Sequence, residues 1–400
     1  MSDLRDVLEK HTGPGAAPGA VALVARGDRA AEVVAVGTAD VAGGTPIDRD
    51  SIFRIASMTK PIVAAAAMML VDDGRMALDD PVGTWLPEWA APKVLRTPAS
   101  PVDDVVPAVR AVTVEDLLTF RAGIGFPDDF SLPGVAPLFD ELKQGPPEPQ
   151  SVPGPDEWMA VLSRIPLLHQ PGEGWLYNTC SDILGVLIAR VSGRSLPDFL
   201  AERLFEPLGM ADTGFAVPAD RIDRFTGCYR ADPEGGGLQL FDAPDGQWSR
   251  LPAFPSGAGG LVSTAGDWYA FARILIADGI VEGRTDGDAG GSAGRGAGGR
   301  RLLSADSVRR MTTDHLTRAQ RDGGRLFLGG QGWGYGGSVD IAAVESWNVP
   351  GRYGWVGGTG TAGYLVPATG TVTVLLTQLA VTGPAAGSFM QDFWRYAAEV

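Results

Sequence analysis

One stretch constrains this chain more than any other. From Ile62 to Val71 ten apolar residues run without interruption, Ile-Val-Ala-Ala-Ala-Ala-Met-Met-Leu-Val. The run is half the roughly 20 residues that a membrane-spanning helix requires. Its alanine, methionine and leucine content favours helix, and a helix apolar on every side belongs inside a protein rather than on its surface. Gly74 supplies a stop signal. The rest of the chain must therefore form layers around this segment. With 400 residues, 44% of them hydrophobic, it is long enough to do so without disulfide or metal staples.

The two ends read differently from the middle. Ser2 to His11 has the spacing of a short amphipathic helix, with Leu4, Val7 and Leu8 on one face. Ala20–Ala25 and Ala31–Val36 are β-prone runs joined through Gly27-Asp28, a hairpin signal. Near the other end Val339–Val344, Thr361–Val366 and Thr371–Thr377 read as strands, followed by a helix over Pro384–Glu399. Between them, helical segments at Thr113–Phe120, Glu157–Ile165, Ser181–Val191 and Leu196–Leu204 alternate with proline-rich loops. The densest of these loops, Gly145–Pro155, holds five prolines and reads as an extended surface loop. A further helix is expected over Ala265–Ala277. The predicted architecture is an α/β domain assembled from residues 1–78 and 253–400, with an all-α domain, residues 79–252, inserted between them. The Gly-rich tract Gly283–Gly299 has too little apolar content to offset its ordering entropy and is expected to be a mobile insertion.

Charge narrows the partners. Lysine and arginine total 33 against 48 acidic residues, a net charge of −15. A surface of that sign repels phosphate backbones and anionic lipid heads, so nucleic acid and membrane are not expected partners. The first ten residues are rich in charge, and no basic segment leads into an apolar stretch, which fits neither a signal peptide nor an anchor. Two cysteines, Cys180 and Cys228, are too few for a disulfide framework. These features point to a cytoplasmic protein.

The chemistry has few places to reside. Three histidines, His11, His169 and His315, show no metal-ligand spacing, so no metal is expected and a Ser-His-Asp triad is disfavoured. A G-x-S-x-G match at Gly290–Gly294 places Ser292 in the low-complexity tract, without the strand and helix that a nucleophile elbow needs. Ser57-Met58-Thr59-Lys60 is the better candidate. With 19 serines and four lysines in the chain, chance supplies about 0.2 such S-x-x-K matches, so the tetrapeptide alone is weak evidence of function. Its setting adds weight, because the apolar helix follows at once and would hold the serine on a rigid buried element. At i and i+3 on a helix the two side chains share a face. A desolvated lysine can take a serine proton, which an always-charged arginine cannot. The competing reading is a helix-capping Ser57 with Lys60 reaching to water.

Here the chain resembles a known group. Phe53-Arg54-Ile55-Ala56-Ser57-Met58-Thr59-Lys60-Pro61 looks like the nucleophile motif of the serine β-lactamase-like superfamily, and is most similar to class C β-lactamases and family VIII carboxylesterases. Further matches follow in order at Pro171–Tyr177, Asp182–Gly185, Pro207–Met210, Gly259–Ser263 and Gly354–Gly358. The resemblance implies an antiparallel sheet flanked by helices with a helical insert. It implies Ser57 as the acylated nucleophile, Lys60 as its proton partner and Tyr177 as the second member of the base system, its phenol pKa pulled down by the ammonium. It also implies an oxyanion hole from the N–H groups of Ser57 and Gly358, with Trp355 and Gly357 beside the substrate and no cofactor.

Two departures stand out. Tyr177-Asn178-Thr179 displaces by one residue the asparagine of a Tyr-x-Asn pattern. Trp355-Val356-Gly357 stands where β-lactamases carry Lys-Thr-Gly, which favours a neutral group over the carboxylate of a β-lactam, although Arg352 nearby could restore a cation. The expected activity is hydrolysis of short-chain carboxylic esters, small molecules, through an acyl-enzyme. The alternatives are β-lactam or D-amino-acid peptide hydrolysis, acyl transfer to an alcohol other than water, and a non-catalytic ligand sensor on the same scaffold.

Overall fold

A computed structural model describes residues 3–145, 147–232, 234–281, 299–384 and 386–400. The expected insertion at Gly283–Gly299 lies, except for Gly299, outside the described residues, as does Ser292. At its centre is a seven-stranded antiparallel sheet in the order Gly332–Trp333, Ser338–Val339, Tyr353–Gly357, Thr361–Val366, Thr371–Thr377, Gly19–Arg26 and Glu32–Gly37. The two ends of the chain meet in it, with Gly19–Arg26 pairing with Thr371–Thr377 from Ala20 opposite Thr377 to Arg26 opposite Thr371.

Alternation along Gly19–Arg26 shows why the sheet needs cover on both faces. Val21, Leu23 and Ala25 join the main core, whereas Ala20, Ala22 and Val24 join a second one with the helices Leu4–Glu9 and Ser388–Glu399. A strand buried on both sides reads as a continuous apolar run, which is how Gly19–Arg26 is written. The main core contains the helix Thr59–Asp72, buried from Thr59 to Leu70. That helix packs on Thr179–Ser192, which is buried from Thr179 to Ile188. Gly74 follows with φ +67°, the left-handed conformation that a helix stop requires.

The middle of the chain carries the helices Val114–Leu118, Ala136–Asp140, Pro155–Leu162, Thr179–Ser192 and Leu196–Leu200. It also holds two two-stranded ribbons, Lys93–Leu95 with Val105–Pro107 and Cys228–Ala231 with Leu238–Asp242. Thr361–Val366 and Thr371–Thr377 have the bounds expected from sequence. The strand expected over Val339–Val344 does not: it ends at Val339, with one further pair of backbone bonds, Asp340 N–H to Arg352 O and Gly351 N–H to Asp340 O, closing the pairing. The Asp340 carboxylate accepts from Gln331 and Asn348, 2.5 and 3.0 Å away, and beyond it Ile341 and Val344 are exposed. Cys180 and Cys228 are both free thiols. Among the described residues no helix is long and apolar enough to cross a membrane.

Candidate active site

Ser57 sits one step before the position expected for it. The α-helix begins at Thr59, and Ser57 occupies a single 3-10 turn, Ala56–Met58. Ala56 holds φ +44°, a conformation that costs a non-glycine residue about 1–3 kcal/mol and persists only where its surroundings impose it. They do so here. The Ile55 N–H donates to Leu261 O, and the hydroxyls of Thr359 and Thr361 donate to the carbonyls of Arg54 and Ile55 at 2.6 and 3.1 Å. The turn's own bonds, Met58 N–H to Ile55 O and Thr59 N–H to Ala56 O, begin one residue past Ser57.

Lys60 is fully buried. Its Nζ lies 2.9 Å from Ser57 Oγ, 2.8 Å from Asn178 Oδ1 and 2.6 Å from Ala258 O. Burial lowers its pKa to about 7, against a partly opposing pull from Asp182. A neutral amine there donates to Asn178 and Ala258 and points its lone pair at the serine hydroxyl. The Tyr177 hydroxyl approaches from another direction, donating to Ser57 Oγ at 2.9 Å and accepting from Trp355 Nε1 at 2.7 Å. The phenol is not pulled down as expected. Desolvation dominates and raises its pKa to about 12, despite the hydrogen bonds it shares with Ser57 and Trp355. It is a neutral proton donor rather than a ready phenolate. Burial removes the water that would solvate a phenolate, so the charged form is disfavoured.

Gly357 and Gly358 lie at the end of the strand Tyr353–Gly357. A Cβ at Gly357 would stand 2.5 Å from Ile55 O, so only glycine lets this strand come so close to the turn that carries Ser57. Over Gly358 the space is open, and its carbonyl is engaged by the Val381 N–H. Ser57 and Gly358 line one cavity of about 450 Å³ together with Asn178, Asp182, Arg230, Trp248, Phe254 and the proline-rich loop residues Pro147, Glu148, Pro149 and Val152. The loop read as mere surface is thus one wall of the cavity. Arg352 supplies no cation to it. Strand alternation puts Arg352 on the face opposite Trp355, where it is buried over the Tyr364 ring, 3.6 Å from the centroid, with Asp340 at 3.5 Å. The histidines are also elsewhere: His11 contacts Asp392, and His315 contacts Arg310 O.

The sequence reading missed Asn178, Asp182, Gln144 and Ala258. Asn178 has φ +81°, and the displaced asparagine reaches Lys60 through that strained backbone. Asp182 is buried. One of its carboxylate oxygens accepts from Ser256 Oγ at 2.6 Å and Ala258 N–H at 3.0 Å, the other from Gln144 Nε2 at 2.8 Å, while burial pushes its pKa up. A lone carboxylate within the apolar stretch Cys180–Val191 was a usable signal, because a buried charge must have partners.

A sequence model of the Beta-lactamase family matches residues 4–390. The chain belongs to that family. Among curated relatives, Protein Rv1367c of Mycobacterium tuberculosis is 36% identical over 389 residues, covering 94% of this chain and 89% of its own length. Esterase EstB of Burkholderia gladioli is 31% identical, covering 91% and 87%. Among solved structures, EstCE1, described as a hydrolase with promiscuous acyltransferase activity, superposes with a TM-score of 0.75 over 98% of this chain and 97% of its own. At 24% identity that likeness speaks to the fold alone. The fold is the β-lactamase and transpeptidase type, and the chain is a serine hydrolase of the Beta-lactamase family, whose curated relatives include an esterase and an acyltransferase.

Proposed function

We propose that this beta-lactamase family member hydrolyses carboxylic esters through an acyl group carried on Ser57. The reading rests on one observation above all: the Ser57 hydroxyl has a buried amine and a neutral phenol 2.9 Å away on separate hydrogen bonds. Ser57 Oγ attacks the ester carbonyl and passes its proton to Lys60. The N–H groups of Ser57 and Gly358 take the developing oxyanion. As the carbon–oxygen bond to the alcohol breaks, Tyr177 gives its proton to the leaving oxygen. Water then attacks the acyl-serine and returns a proton to the tyrosinate, while the Lys60 ammonium returns its own to Ser57 Oγ. One ester and one water become one acid and one alcohol, and every side chain is restored.

Trp355 favours a neutral substrate on the Tyr177 side, and the displacement of Arg352 to the opposite sheet face leaves a lactam carboxylate without that partner. The 450 Å³ cavity lies in the size range that holds drug-sized ligands, so acyl groups longer than the short chains expected from sequence fit the proposal. A second reading, acyl transfer, follows from the same steps with an alcohol in place of water. The Tyr177 ring stacks on Phe327 at 4.5 Å, and Phe130 and Phe139 next to it are exposed, an apolar surface on which an alcohol could rest. Comparing p-nitrophenyl butyrate with nitrocefin, and mapping a fluorophosphonate adduct by mass, tests the assignment. Faster turnover of the lactam, or an adduct away from Ser57, would sink it. Ester product formed with added alcohols would establish the transfer reading.

A further inference from the structure

On the sheet face turned away from Ser57, the helix Ser388–Glu399 covers the strands incompletely. A cavity of about 240 Å³ remains, lined by Arg26, Arg352, Trp347, Trp394, Tyr364 and three threonines, Thr369, Thr371 and Thr373, among others. The strand register explains why these residues converge. Arg26 is opposite Thr371 and Thr371 is opposite Val366. Continuing the pairing of Tyr353 with Leu365 by one residue sets Arg352 level with Val366. Two arginines therefore stand on one rung of the sheet, three strand spacings or roughly 14 Å apart, Arg26 with its Nη2 donating to Ala397 O and Arg352 over the Tyr364 ring. Thr373 and Tyr364 form the next rung on the same face.

Three polar atoms here are buried without a partner: Arg26 Nε, Arg352 Nη2 and Trp394 Nε1. All are N–H donors, and their residues all line this one cavity, which has no carboxylate among its described lining residues. Asp340 and Glu345 line a neighbouring cavity that shares Arg352. Asp340 faces Arg352 Nη1 at 3.5 Å, too long for a good hydrogen bond, and its oxygens are engaged by Gln331 and Asn348. Buried donors without acceptors are uncommon, because each forfeits the hydrogen bond it made with water. The remaining walls are flat and apolar, with Tyr364 edge-on to Trp394 at 5.4 Å and Trp347 at 6.0 Å from Trp394. Ser346, Val349, Thr369 and Ala398 of its lining are exposed.

We propose that this cavity is a second binding site, separate from the Ser57 cavity, for a small carboxylate carried on a flat apolar body, such as an aryl acid. The guanidiniums and the indole N–H hold the carboxylate, the threonine hydroxyls add donors, and the aromatic rings take the body. The inference does not depend on the ester reading, since it uses none of the residues around Ser57. Calorimetric titration of benzoate and of inorganic phosphate into the full chain tests it, with variants of Arg26 and Thr371 separating this site from the Ser57 cavity. Benzoate is expected to saturate below ~10 mM and to bind more tightly than phosphate. Arg26→Met should weaken benzoate at least tenfold, and Thr371→Val by a few-fold. Arg352→Met should weaken it further, and if that buried change prevents folding, the partly exposed Arg26 decides the matter. Absence of saturable binding, tighter binding of phosphate, or benzoate affinity indifferent to Arg26→Met would each overturn the proposal.

Discussion

The two sides of Ser57 offer a natural comparison. On one side Lys60 and on the other Tyr177 stand 2.9 Å from the same oxygen, and desolvation is the largest influence on each. It lowers the lysine to about 7 and raises the tyrosine to about 12. One physical cause produces opposite shifts because the charged form is the protonated one for an amine and the deprotonated one for a phenol. Above pH 7 both groups are therefore mostly neutral. A neutral amine is a base and a neutral phenol is an acid, so removing water from one place creates a complementary pair without any fixed charge beside the nucleophile.

The largest expected effects fall on the nucleophile and the lysine side. Ser57→Ala should lower ester hydrolysis by about 10⁴-fold or more, measured as kcat/KM. Lys60→Arg should be nearly as damaging as Lys60→Met, because a guanidinium keeps its charge but cannot become neutral and accept a proton. Substantial activity in Lys60→Arg would mean that a cation, not a base, is what this side supplies.

On the tyrosine side the effect should depend on the leaving group. Tyr177→Phe is expected to slow hydrolysis of alkyl esters by about 10²-fold, since an alkoxide needs a proton to depart. With p-nitrophenyl esters, whose leaving group departs as an anion, the loss should be within about tenfold. Equal losses on the two substrates would move Tyr177 from acid to base and erase the contrast.

How much of this was legible beforehand follows from what is local and what is not. Ser57, Lys60 and the apolar helix are neighbours in sequence, so a spacing of three and an unbroken run of apolar residues placed them together. Thr361–Val366 and Thr371–Thr377 were equally readable, as short apolar runs joined through Ala368-Thr369-Gly370. The direction of the Tyr177 shift was not, because it depends on how much water the tertiary fold removes from the phenol. Asn178 escaped for a related reason: its reach to Lys60 depends on a positive φ that an asparagine tolerates but does not announce. Val339–Val344 misled because an apolar run does not show where its partner strand ends: Asp340 is bonded to Arg352 and Gly351, and beyond it Ile341 and Val344 are exposed.

The pH profile sharpens the comparison with a smaller effect. Hydrolysis should rise as Lys60 loses its proton near pH 7 and then stay level, with no second limb until Tyr177 ionises near 12. Stability should follow the same lysine. Its folded pKa is below the unfolded value of 10.5, so between pH 7 and 10.5 the unfolded chain binds more protons and stability rises with pH. That contribution is complete above 10.5 and is lost as pH falls through 7. Lys60→Met should flatten this slope in melts taken across the same range. A slope unchanged in the variant would place its origin elsewhere.

The smallest change in the series is Trp355→Phe. The indole N–H donates to Tyr177 at 2.7 Å and so fixes the lone pair that the phenol uses as acceptor, leaving its proton directed at Ser57. The phenyl ring would keep most of the packing against Trp333, whose ring is 4.8 Å away, and remove only that donor. A hydrogen bond of this kind is worth roughly 1 kcal/mol net, so a loss of about three- to tenfold in kcat with little change in KM is expected. If Trp355 acts through Tyr177, its effect should nearly vanish in the Tyr177→Phe background, a coupling that a double-mutant cycle reads directly. Additive losses would mean that Trp355 touches the substrate itself, and the tyrosine side would then hold two independent contributors where the lysine side holds one.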